Sequence, residues 1–160
     1  METVNSIITE LLRLVDDKSQ SFDKIMEITL EQKKDIEDNE ANNIEELVNQ
    51  KQSVIDKIDE IDKSFSEAFN LLKKQLKVST LEEVDFTKYP VLKILKLKVV
   101  EIMSLAQKII KIEETNKEKL ALKMNELKKE MKQLSVGKKS IKAYETPVMR
   151  NDGVYIDKKK

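Results

Sequence analysis

The chain has 160 residues, its 30 Lys and Arg balance 30 Asp and Glu, and it contains no His and no Cys. Imidazole bases, thiol nucleophiles, disulfides and nearly every zinc or transition-metal site are thereby excluded, which leaves only hard-cation carboxylate sites open. Apolar residues make up 39%, charged residues 38% and aromatics 4%, with two Gly and two Pro, a balance that suits long helices with an aliphatic seam and charged outer faces and argues against a sheet.

The length is that of one ordinary domain. Glu2, Thr3, Asn5 and Ser6 interrupt the start, so no apolar signal peptide is expected there. Apolar residues then recur at Val4, Ile8, Leu11, Val15, Phe22, Ile25 and Ile36, and steps of three and four predict a helix of about 35 residues. Lys18 and Thr29 break its seam. Asp38 to Asn43 interrupts the period, and Asn43 with Glu46 three residues on has the form of a helix N-cap and its return partner. A connection this short makes the next helix antiparallel to the first.

The second helix carries Ile44, Leu47, Val54, Ile58, Ile61, Phe65, Ala68 and Leu72 on the same spacing, with Lys51 occupying one seam position. Ser79 or Thr80 is placed to cap a short turn at Leu81 to Val84, and Pro90 suits the first position of a third helix, where its missing N–H is harmless. From Val91 to Ile112 apolar residues cover well over half the helix circumference, more than one neighbouring helix pair needs. From Glu113 to Leu134 only the stripe Leu120, Met124, Leu127, Met131 and Leu134 remains. The broad face packs on the earlier helices or on a second copy, or else leaves a groove for an apolar partner helix. Six charges between Val91 and Ile112 make that stretch too costly as a membrane span.

After Leu134 the pattern stops, and the segment 137–160 is expected to be a disordered, partner-binding tail with Tyr144, Val148, Met149, Val154, Tyr155 and Ile156 as isolated apolar beads. The expected architecture is all-α: a long antiparallel hairpin plus a third long helix in a coiled-coil-like arrangement. One helical domain over 1–136 holds helices at about 2–37, 43–77 and 90–134, and the flexible C-terminal tail follows.

Charge is unevenly spread. Residues 1–87 hold 11 Lys or Arg against 21 Asp or Glu, residues 88–134 hold 12 against 6, and the remainder 7 against 3. An acidic hairpin attracting a basic third helix accounts for this; nucleic-acid binding is the rival, and it lacks arginines beyond Arg13 and Arg150 and any aromatic stacking platform. The carboxylate pairs Asp16-Asp17, Glu45-Glu46 and Glu113-Glu114 fall on faces expected to be exposed, and Gly137 and Gly153 make no phosphate loop. No catalytic constellation is formed, so the chain is not expected to be an enzyme.

The long leading helix, the Asp38-to-Asn43 break, the entry Asn43-Ile44-Glu45-Glu46-Leu47-Val48-Asn49-Gln50-Lys51-Gln52, the long third helix and the ending Gly153-Val154-Tyr155-Ile156-Asp157-Lys158-Lys159-Lys160 together resemble the FlgN family of flagellar export chaperones. The resemblance covers essentially the whole chain. It implies a cytoplasmic chaperone, without a cofactor or a small-molecule substrate, that binds the C-terminal helical segments of hook-filament junction proteins and delivers them to the flagellar type III export gate. Partner contacts then fall on Leu92, Leu95, Val99, Ile102, Met103, Ala106 and Ile110, with an extension along Leu120, Met124, Leu127, Met131 and Leu134. In the tail, Tyr144 matches by position the aromatic anchor the resemblance implies, and Tyr155 and Ile156 belong to the terminal motif. The alternative from another class is a structural coiled-coil adaptor or dimerising scaffold that self-associates through the broad third-helix face.

Overall fold

The computed structural model describes residues 3–134. Three helices account for most of them: α1 over Val4–Glu37, α2 over Ile44–Leu76 and α3 over Pro90–Leu134. Single 3-10 turns lie at Ala41–Asn43 and Leu81–Glu83, and no strand occurs among the described residues. The all-α hairpin-plus-third-helix class expected from sequence is the one observed. The expected tail lies outside the described residues.

The ends of the helices follow local chemistry. The Thr3 hydroxyl accepts from Ser6 N–H at 3.1 Å while Ser6 Oγ donates to Thr3 O at 2.9 Å, which occupies groups that the first turn of α1 leaves without helical partners. At the other end Glu40 N–H reaches Asp35 O (2.8 Å) and Asn39 N–H reaches Ile36 O (3.4 Å), with Asn39 at φ 58°. This pair of bonds is the Schellman ending, and Asn is a residue that tolerates the left-handed conformation it needs. Asn43 closes the 3-10 turn directly before Ile44, but the Glu46 carboxylate accepts from Gln50 Nε2 (3.4 Å), one turn further into α2.

α2 ends the same way. Val78 N–H bonds Lys73 O (3.1 Å) and Lys77 N–H bonds Lys74 O (3.3 Å), again with φ 58°, now at Lys77. A Cβ in this conformation costs roughly 1 kcal/mol, which glycine avoids. Lys77→Gly is therefore expected to raise the unfolding free energy by about 0.5–1 kcal/mol in urea titrations followed by circular dichroism; a loss of stability would mean that the lysine stem contributes more than the backbone strain costs.

Between α2 and α3 the Glu83 carboxylate accepts from the backbone N–H groups of Ser79 and Thr80, which holds its pKa below the usual 4.5. Asp85 Oδ1 accepts from Thr87 N–H (2.9 Å), and Asp85 O accepts from Tyr89 N–H (3.0 Å), turning the chain into Pro90. Pro90 is the first residue of α3, where it has no helical hydrogen bond to lose.

The chain divides into two compact units, Met1–Glu27 with Ser53–Ile109 and Ile28–Gln52 with Ile110–Lys160, so each long helix contributes to both. In the first unit Ile7, Ile8, Leu11, Val15, Leu72, Val84, Leu92, Leu95 and Ile102 form a buried cluster. Phe22, Phe65, Phe69, Phe86 and Tyr89 pack around it, so all four phenylalanines of the chain lie in this unit. A second cluster joins Ile25, Ile58 and Ile109, flanked by Val54, Ile55 and Leu105. The seam-breaking Lys18 turns out of this core to Asp62 (2.5 Å) and lies 6.0 Å from the Phe22 ring centre.

The second unit is built differently. Its buried apolar residues Ile28, Ile36, Leu47 and Val48 share the interior with Thr29, Gln32, Lys51 and Asn116, each 3% exposed or less. Direction follows from contact order: Asn116 meets Thr29, Lys119 meets Glu37 and Lys123 meets Asn39, so within this unit α3 runs parallel to α1. Lys123 also donates to Ile36 O and thus places a cation at the negative end of α1.

Candidate partner-binding surface

α3 has two different apolar sides. Leu92, Leu95, Ile102 and Ile109 are buried, with Val99, Leu105 and Ala106 half-buried along the same face. On the outside, Ile94 (50% exposed), Leu97 (56%), Val100 (54%) and Met103 (59%) stand free of the core. Their spacing of three places successive members about 5–6 Å apart between Cβ atoms, and the set forms a continuous ridge winding over the outer surface.

The sequence-derived contact residues separate accordingly. Leu92, Leu95 and Ile102 are core residues of the first unit, so in this fold they support α3 and do not present a surface. Val99 packs against that cluster and Ala106 is half-buried. Met103 and Ile110 are exposed. In the second unit Leu127 and Leu134 are exposed, while Leu120, Met124 and Met131 are half-buried. Tyr144, Tyr155 and Ile156 lie outside the described residues.

The sequence-derived set leaves out Ile94, Leu97 and Val100, although each of these is at least half exposed, as are Met103 and Ile110. Charge interleaving marks them: Lys93, Glu101, Lys108 and Lys111 are exposed and share their side of the helix, whereas the arc through 92, 95, 99, 102, 106 and 109 contains no charged residue.

The electrostatics differ between the two units. In the first, Lys96 pairs with Glu82 (3.5 Å) and Lys98 with Asp16, so two of the four lysines between Pro90 and Ile109 are already partnered. Lys93 and Lys108 take part in no ion pair among the described residues. In the second unit Lys51 Nζ donates to Gln32 Oε1 and to Glu113 Oε1, both at 2.6 Å. Burial pushes the Lys51 pKa below the usual 10.5, and the hydrogen bond that Lys51 donates to Glu113, with the charge of that carboxylate, opposes the shift without cancelling it.

Asn116 Nδ2 donates to Thr29 O (3.3 Å), which completes a polar layer of Thr29, Gln32, Lys51, Glu113 and Asn116. Gln32 Nε2 and Asn116 Oδ1 are buried in it without a hydrogen-bond partner among the described residues. An open depression in this unit is lined by the charged and polar residues Glu31, Lys34, Asp35, Asp38, Glu40 and Asn43 and brings no apolar or aromatic residue to a ligand. No group of three or more acidic residues spaced to hold a metal ion occurs among the described residues.

The architecture provides helix faces for protein contact, and the comparison with known families agrees with that. The family model described as FlgN protein matches residues 1–147. The chain belongs to the FlgN family. FlgN proteins act as flagellar export chaperones, and that broad role comes with membership. No curated protein and no solved structure matches the chain. No described helix of this FlgN-family chain is long and apolar enough to cross a membrane.

Proposed function

We propose that this chain is a non-enzymatic chaperone of the cytoplasm that binds hook-filament junction proteins, keeps them from assembling early and delivers them to the flagellar type III export gate. FlgN membership supports the flagellar role, and the observation that carries the reading is the accessible apolar surface of α3, whose Leu97 and Met103 are more than half exposed. Subunits that polymerise through apolar helices need those helices covered until export, and helix-in-face docking on α3 covers them. Residues 135–160 add a second contact through Tyr144, Tyr155 and Ile156.

The test is capture of a junction protein's C-terminal segment by the purified chain, measured by calorimetry alongside solution mass. One-to-one binding by a monomer is expected. A stable dimer deaf to such segments would sink the proposal and favour the dimerising scaffold, which would occupy the same exposed α3 side chains. Truncation after Leu134 is expected to weaken binding to cargo or to the gate about tenfold, roughly 1.4 kcal/mol, with the helical signal per residue unchanged or higher. Unchanged affinity for both partners would remove the role assigned to the tail.

A further inference from the structure

The outer ridge of α3 carries apolar side chains and unpaired positive charge together, and the combination restricts what can cover it. We propose that Ile94, Leu97, Val100 and Met103 dock an amphipathic helix of the cargo whose apolar face is flanked by acidic residues toward both its ends and is free of them at its centre. The identification of that helix as cargo rests on the chaperone reading, whereas its chemistry follows from the ridge.

Three occupants compete. The first is a second copy of the chain. An antiparallel pairing of two α3 ridges about Val100 brings Lys93 of one copy against Lys108 of the other at both ends, and the two Glu101 carboxylates together at the centre. A parallel pairing sets every charge against its own like. Unpaired like charges at a helix–helix contact disfavour both arrangements. An antiparallel register centred on Leu97 sets Lys93 against Glu101 at both ends, but it carries Lys108 past the start of the partner copy's α3 and leaves it unmatched, whereas a separate helix can answer all three charges. Elsewhere on the first unit's surface, α1 and α2 offer no complementary row, since the large apolar side chain they expose there is Leu71, at 38%.

The second occupant is the chain's own residues 135–160. They carry seven Lys or Arg against three Asp or Glu, the same sign as Lys93 and Lys108. The third is a separate helix, and the charges on the ridge specify it: carboxylates opposite Lys93 and Lys108 and a neutral or basic residue opposite Glu101. Ridge positions three apart fit the grooves of such a helix, and steering by Lys93 and Lys108 adds rate and selectivity to aliphatic burial.

Two designed peptides with one shared apolar face, one flanked by Glu and the other by Lys, test this on the full chain by calorimetry at low and moderate salt. The Glu-flanked peptide is expected to bind at least tenfold more tightly, with the difference shrinking as salt rises. Leu97→Asp is expected to weaken that binding at least tenfold. The Lys93→Glu/Lys108→Glu variant, which alters exposed residues only, should reverse the preference between the peptides while leaving the circular dichroism spectrum unchanged. Equal binding of the two peptides, or indifference to Leu97→Asp, overturns the proposal.

A junction-protein segment separates this inference from the broader one. Capture of that segment, undisturbed by Leu97→Asp, overturns the ridge as the cargo site and leaves the chaperone reading standing. Binding of the Glu-flanked peptide without any capture of junction proteins upholds the ridge chemistry and overturns the chaperone reading.

Discussion

Lys51→Met is expected to lower the unfolding free energy by about 3 kcal/mol, whereas the triple variant Lys51→Met/Gln32→Leu/Glu113→Leu should regain all of that loss or exceed the parent stability. The reason lies in what each change leaves behind. In the single variant the Glu113 carboxylate loses its cation and Gln32 Oε1 loses its donor, both inside the second unit. The expected cost sits at the lower end for a broken buried pair because the Glu113 side chain is 21% exposed and can turn toward water. In the triple variant no buried charge or amide of this set remains, and the apolar replacements occupy similar volume. Urea titrations followed by circular dichroism provide the comparison, and equal losses in the two variants would show that the polar layer is a net source of stability.

The pH dependence provides a second check on the same layer. Lys51 has a folded pKa below its unfolded value of about 10.5, so the folded state disfavours its charged form. That penalty is fully present below the folded pKa and is relieved as pH rises from there toward 10.5, because in this range the unfolded chain binds more protons than the folded one. Over the alkaline window below 10.5 the parent should therefore gain stability relative to Lys51→Met. A falling difference would mean that attraction to Glu113 outweighs burial.

The helices are legible in the sequence because a three-four apolar spacing, a turn-rich break at Asp38 to Asn43 and Pro90 each have a direct local meaning. The left-handed end at Lys77 is not legible, since lysine carries no preference for that conformation and the bonds that impose it run from Lys77 and Val78 back to carbonyls inside α2. Lys18, Thr29 and Lys51 are visible as seam errors, but the sequence gives them no partners. Asp62 meets Lys18 across 44 residues and Glu113 meets Lys51 across 62, and only the packed register brings them together. Gln32 and Asn116 give no signal at all, being polar residues in charged helices until the fold buries them.

The functional surface is harder to read for a related physical reason. When apolar residues cover more than half of a helix, periodicity no longer distinguishes the side packed on the core from the side left to a partner. In the first unit the core takes Leu92, Leu95 and Ile102, the residues a heptad reading selects first, and leaves the charge-interleaved ridge outside. The two units also divide the work of stability differently. The first concentrates aromatic and aliphatic burial, and the second spends part of its interior on a polar layer with two unmatched atoms. Incompletely satisfied interiors open at lower free energy than apolar ones, so hydrogen exchange in Ile28–Gln52 should be faster than in the buried stretches of the first unit.

Leu95→Ala and Leu97→Ala, two residues apart on α3, are expected to differ in stability by at least about 1.5 kcal/mol. Leu95 is 1% exposed and its truncation removes methyl groups from the main cluster and leaves a cavity, a change that costs about 2–5 kcal/mol. Leu97 is 56% exposed, and its truncation should stay within about 0.5 kcal/mol of the parent. Binding should rank them the other way: below its unfolding range the Leu95 variant still presents the ridge and keeps its affinity, while the Leu97 variant folds normally and binds poorly. A charged substitution at Leu95 cannot separate these effects, because lost binding would follow from lost packing. If Leu97→Ala instead destabilises the free chain as much as Leu95→Ala, the ridge is already covered in solution. Dependence of that loss on protein concentration would then identify a second copy as the cover, and independence would identify residues 135–160.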